Sequence, residues 1–104
     1  MRETKKPFAH VFSQRCEQLG LVTQQQAADF INQHAVNGEP ATITRFSVCD
    51  WQTGRYAPAR RYHDMIGRAM CLTREQVTLL CAGLLVQVAA LPSQDEQLGA
   101  DHAQ

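Results

Sequence analysis

Six arginines fall between residues 44 and 74 (Arg45, Arg55, Arg60, Arg61, Arg68 and Arg74) against Asp50 and Asp64, a local charge of +4 in a chain whose formal net charge is zero. Guanidinium groups gathered this way suit local contacts to phosphates or other anions. A neutral total disfavours a protein that coats a polyanion or an anionic lipid surface by bulk charge. A second basic stretch, residues 1–15, holds Arg2, Lys5, Lys6 and Arg15 against Glu3, a local +3. The segment between them (Glu17, Asp29, Glu39) and the one after Arg74 (Glu75, Asp95, Glu96, Asp101) are acidic, a distribution suited to a one-sided electrostatic footprint.

The remaining reactive residue types suggest little chemistry. Cys16, Cys49, Cys71 and Cys81 are widely spaced with no Cys-x-x-Cys pair, and His10, His34, His63 and His102 form no i, i+4 or His-Glu-x-x-His pattern. No metal and no cofactor are expected. His10, Ser13, Gln14 and Arg15 interrupt any apolar run after the basic start, so no secretory leader is read. Reduced thiols in a cytoplasmic protein follow as the expectation. No nucleophile and general base can be paired, and the chain is read as a non-enzyme.

These residues need elements to position them. At 104 residues and 44% apolar content the chain fits one small domain. Helical periodicity dominates, predicting an all-α fold of five helices. The first helix runs from about Phe8 to Leu19, with Phe8, Val11, Phe12, Cys16 and Leu19 on one stripe and Gly20 as its stop. Thr23 and Gln26 form a capping box for the second, which buries Ala27, Phe30 and Ile31. Asn37-Gly38-Glu39-Pro40 reads as a loop. The third is expected from Arg45 to about Gln52, capped by Thr44 and ended by Gly54, with Val48 and Trp51 inward. Pro58 suits the first turn of a fourth helix carrying Tyr62, Met65, Ile66, Ala69 and Met70 and ending near Cys71. Thr73 and Gln76 cap a last helix over residues 73–91, ended by Pro92. Its apolar stretch is too short for a membrane span of roughly 20 residues.

At about 100° per residue, the third helix turns Phe46, Cys49, Asp50 and Thr53 outward with Arg45 at the flank. Such a helix fits the major groove of duplex DNA, where arginine pairs with guanine O6 and N7 and phenylalanine packs on a thymine methyl. Asp50 has a use there only by accepting from cytosine N4 or by orienting an arginine.

Three segments carry a resemblance: Thr23-Gln24-Gln25-Gln26-Ala27-Ala28, then Trp51-Gln52-Thr53-Gly54-Arg55-Tyr56-Ala57-Pro58, then Met65-Ile66-Gly67-Arg68-Ala69-Met70. In order and character the chain resembles the Cro/CI-type, or XRE, helix-turn-helix family of phage and bacterial DNA-binding regulators over about residues 8–80. The resemblance implies a lambda-repressor-like domain. It has an extended connection between the second and third helices, some ten residues longer than the family's tight turn, and Gln52 stands where the family commonly has Glu. It also implies base contacts by Arg45, Phe46 and Asp50, and a phosphate contact by Gln24. Thr44, Ser47, Cys49, Arg55, Arg60 and Arg61 complete the expected DNA-binding set.

The expected organisation is a basic arm (residues 1–7), a helix-turn-helix domain (8–91) and a flexible acidic tail (92–104). The last helix presents Val77, Leu80, Leu84, Val88 and Leu91 as a homodimer seam. The expected function is a sequence-specific regulator of transcription, a phage- or mobile-element-type repressor binding an inverted repeat of double-stranded DNA. The alternative is an antitoxin or accessory protein that binds a protein partner through the last helix, favoured by zero net charge and the acidic tail. A thiol redox sensor built on Cys49 stands third.

Overall fold

The computed structural model describes residues 6–36, 38–89 and 91. The arm residues Arg2 and Lys5, the loop residue Asn37 and the tail from residue 92 onward lie outside them. Among the described residues the fold is all-helical: α1 (Pro7–Gln18), α2 (Gln24–Asn32), α3 (Arg45–Thr53), a 3-10 turn (Arg60–Tyr62), α4 (His63–Met70) and α5 (Arg74–Cys81). None of these helices is long and apolar enough to cross a membrane.

Helix starts follow the predicted caps. Thr23 Oγ1 accepts from the Gln26 amide at 3.0 Å while Gln26 Oε1 accepts from the Thr23 amide at 3.1 Å. Thr73 and Gln76 repeat this reciprocal pair at 3.0 and 2.9 Å. Thr44 Oγ1 accepts from the Ser47 amide at 3.3 Å and starts α3. Each cap satisfies amides that a helix start leaves without partners.

Helix ends share one device. After α1, α3, α4 and α5 a residue with positive φ (Gly20, Gly54, Cys71 and Gly83) turns the chain. The next amide then bonds back across the turn: Leu21 to Cys16 O, Arg55 to Asp50 O, Leu72 to Gly67 O and Leu84 to Leu79 O. This closure satisfies terminal carbonyls and forbids continuation. It corrects the expected last helix: α5 ends at Cys81, because Gly83 sits at φ 91° and the Leu84 amide folds back to Leu79 O at 3.1 Å. Residues 84–89 follow in no regular element, held by the Arg15 guanidinium, which donates to Ala89 O at 2.6 Å. Arg15, counted above in the basic stretch of residues 1–15, is buried.

The fourth helix is also corrected. It begins at His63, and Pro58 lies before it as a buried loop residue. The Pro58 carbonyl can only accept, so His63 Nε2 donates to it at 3.1 Å; Nδ1 meets the Thr78 hydroxyl at 2.9 Å. This buried histidine fastens α4 to α5 and to the preceding loop, a structural role its isolation in the sequence did not disclose.

The core gathers Phe8, Phe12 and Cys16 of α1, Ala27, Ala28 and Ile31 of α2, Val48 and Trp51 of α3, Met65, Ile66, Ala69 and Met70 of α4, and Val77 and Leu80 of α5. Phe12 meets Trp51 edge-on at 5.8 Å and stacks on Phe8 at 5.4 Å. Trp51 thereby fixes which face of α3 points inward.

Candidate nucleic-acid interface

The connection between α2 and α3 decides how α3 is presented. α2 stops at Asn32, and its carboxamide closes on the backbone of Ile43: Nδ2 donates to Ile43 O at 2.9 Å, and Oδ1 accepts from Ile43 N at 3.0 Å. Ile43 buries its side chain, and Thr44 caps α3 immediately afterwards. The intervening loop is tied on its far side by Arg68, which donates to His34 O through Nε and Nη2 at 3.2 and 2.9 Å and pairs with Glu39. Glu39 in turn accepts from the Val36 amide at 3.0 Å, and Thr42 shares a 3.1 Å hydrogen bond with Tyr62. Among the described residues, these side-chain bonds run to α2, α4, the 3-10 turn and the loop itself, and none goes to an outward side chain of α3.

On that outward face Arg45, Phe46 and Thr53 are exposed, while Ser47, Cys49 and Asp50 are half-buried. Phe46 is 67% exposed, high for a phenylalanine, and the Arg45 guanidinium lies 4.9 Å from its ring centroid. Asp50 points its carboxylate toward Arg55, with Nε 3.9 Å from Oδ1, so its partner is Arg55 and not Arg45. At 71% exposure of the Arg55 side chain this is a loose surface pair. Thr44 and Ser47 hydroxyls are 3.5 Å apart at the helix start, and the Cys49 carbonyl accepts from Thr53 Oγ1 at 2.9 Å.

The other expected contact residues lie on α2 and on the 3-10 turn. Gln24, the first residue of α2, donates from Nε2 to Gln52 Oε1 of α3 at 3.5 Å, which places the start of α2 beside the last turn of α3. Arg60 and Arg61 are exposed in the 3-10 turn, and the Arg61 guanidinium lies 5.0 Å from the Tyr62 ring centroid. Hydrogen bonds to Thr42 first, then to Arg61, hold the Tyr62 phenol below its usual range. Arg68 leaves the expected cationic set, since Glu39 and Asp64 neutralise it. Among the described residues, Arg45, Arg60, Arg61 and Arg74 have no carboxylate in ion-pair range.

No protein-family model, curated protein or solved structure matches the chain.

The cysteines are free thiols, Cys16 buried, Cys49 and Cys81 half-buried and Cys71 exposed. Burial pushes the Cys16 thiol up, opposed by a hydrogen bond with Gln52, and pushes Cys81 up to about 11. Neither favours a reactive thiolate. Among the described residues no group of three or more His, Cys, Asp and Glu side chains comes together as a metal site.

The expected dimer seam is also corrected. Val77 and Leu80 are consumed by the core of their own chain, at 0% and 1% exposure. Leu84, Val88 and Leu91 lie beyond the end of α5, so the five residues share no helical face.

Proposed function

We propose that this chain is a sequence-specific double-stranded DNA-binding regulator that places α3 in the major groove. The observation that carries the reading is the face of α3 opposite Trp51: it exposes Arg45 and Phe46 at its amino end and is left uncovered by the inserted loop's side-chain bonds. Arg60 and Arg61, exposed in the 3-10 turn that follows α3 in the chain, supply positive charges suited to phosphates, and the amino terminus of α2 beside Gln52 adds a favourable dipole for the same anions. The resemblance to Cro/CI-type regulators gives the reading its biology, a repressor acting at an inverted repeat as a homodimer. With α5 ending at Cys81, such a dimer rests on apolar surface beyond it, where Leu84 and Leu85 are 52% and 90% exposed.

The deciding experiment is selection from random duplexes at fixed salt, followed by titration of variants on the selected and a scrambled site. Arg45→Ala should cost about 1–3 kcal/mol on the selected site and little on the scrambled one. Arg61→Ala should weaken both alike and flatten the salt dependence. Equal losses from Arg45→Ala on both sequences refute base reading by α3.

The exposure of Leu85 also favours a second reading, an accessory protein or antitoxin that docks a heterologous partner on residues 84–89. A stoichiometric partner lost in Leu85→Ser, together with no selected DNA, selects it.

A further inference from the structure

Consecutive residues on a helix diverge by about 100°, so neighbouring side chains ordinarily part. Arg45 and Phe46 do the opposite. Their tips are folded together at the exposed start of α3, the guanidinium carbon 4.9 Å from the ring centroid. A guanidinium has five N–H donors, so a contact to one ring leaves donors available for a second partner. Nothing anionic competes for those donors among the described residues, since the Asp50 carboxylate lies toward Arg55.

Resting on the DNA-binding reading above, we infer that the Arg45–Phe46 pair reads one dinucleotide step, a guanine directly adjacent to a thymine. The guanidinium donors match guanine O6 and N7, while the ring matches the 5-methyl of thymine, an apolar group on the major-groove edge. Spacing sets adjacency. Successive bases on a strand are about 3.4 Å apart along the duplex axis, and bases two steps apart about 7 Å. A guanidinium and a ring in direct contact leave no room for a third base edge between them, which matches the pair to neighbouring bases rather than separated ones. The ring also screens one face of the guanidinium from water, which strengthens its bonds to guanine and couples the two contacts. Phe46 is thus a specificity residue in its own right and a positioning residue for Arg45.

The test uses the full chain on its selected site, with single atoms of the DNA altered. Replacing the thymine by 2′-deoxyuridine removes only the methyl and should weaken the wild type several-fold while leaving Phe46→Ala unchanged. Replacing the guanine by 7-deazaguanine removes N7 and should weaken the wild type about ten-fold or more. That loss should vanish in Arg45→Ala and shrink in Phe46→Ala. Selected sites lacking adjacent guanine and thymine, or a deoxyuridine penalty equal in wild type and Phe46→Ala, overturn this inference and leave DNA binding standing. Failure to enrich any duplex over scrambled DNA overturns both.

Discussion

Replacing Asn32 by alanine should unfasten the start of α3 from α2. The carboxamide makes paired hydrogen bonds to Ile43, at 2.9 and 3.0 Å, in a partly buried setting. Alanine leaves the Ile43 N–H and C=O without partners. Each unsatisfied group costs about 1–3 kcal/mol, toward the low end where water has access, so the loss should be about 2–4 kcal/mol. Against a total stability of order 5–15 kcal/mol this is a large fraction, and it lowers the melting temperature by about 10 °C or more. Asn32→Asp should fall between alanine and wild type. It keeps an acceptor for the Ile43 amide but sets an acceptor-only carboxylate oxygen against the Ile43 carbonyl. Urea unfolding followed by the fluorescence of Trp51, the single tryptophan and 4% exposed, measures the loss. Amide exchange at Ile43 and through the first turn of α3 locates it. A change below about 0.5 kcal/mol with unaltered exchange would refute the idea that this clasp sets the pose of α3.

Gly67→Ala should destabilise by about 2 kcal/mol despite alanine's better helix propensity, because the added Cβ meets Leu72 O at 2.6 Å, a backbone atom that cannot step aside; a raised melting temperature would contradict the close approach. Arg15→Ala removes the donor to Ala89 O and should speed chymotryptic cleavage at Leu84 and Leu85 several-fold, whereas an unchanged cleavage rate would show that other contacts hold residues 84–89. In the folded protein at pH 8, a thiol reagent should modify Cys71 first and Cys81 and Cys16 only slowly, and uniform rates across the cysteines would count against the burial assigned to them. Between pH 9 and about 11 the unfolded Cys81 thiol has lost its proton while the folded one retains it, so its contribution to stability should decline as pH rises through that window, opposed by the lowered Tyr62 phenol; an identical pH slope of the urea midpoint in wild type and Cys81→Ala would contradict it.

Local signals were readable from the chain where one residue type suffices to cause the structure. Both Thr/Gln capping boxes, the Thr44 cap and the Gly20 and Gly54 stops stand as expected, because hydroxyl acceptors and positive-φ glycines act within one turn. Gly83 carried the same signal as Gly54, but the uncharged run around it reads as one continuous helix when hydrophobicity is given priority over the glycine. The inward positions of Val48 and Trp51 were legible from spacing alone. Long-range partners were not. Arg68 looks like a free cation in any local charge tally, yet Glu39, 29 residues earlier, neutralises it. Arg15 has polar neighbours in sequence, Gln14 and Glu17, yet it is buried and donates to Ala89 O, 74 positions later.

The long connection between α2 and α3, which departs most from the tight turn of Cro/CI-type regulators, loses much of its weight once the Asn32 clasp is considered. Asn32 and Ile43 are 11 positions apart in sequence but share paired hydrogen bonds, so the chain between them leaves and returns at nearly one point. Seen from α3, the path into the helix is Asn32, then Ile43, Thr44 and Arg45, a junction about as short as a tight turn. The excursion is held against α4 by Arg68 and Glu39 and against the 3-10 turn by Thr42 and Tyr62, on bonds that involve no outward residue of α3. An insertion closed at its base in this way adds a loop-closure cost that grows only with the logarithm of its length. It need not rotate the helix it precedes. The face of α3 is then set by what lies on either side of that base, Ile43 and Trp51 inward in the core and Thr44 at the cap, with Arg45 and Phe46 left outward as a consequence.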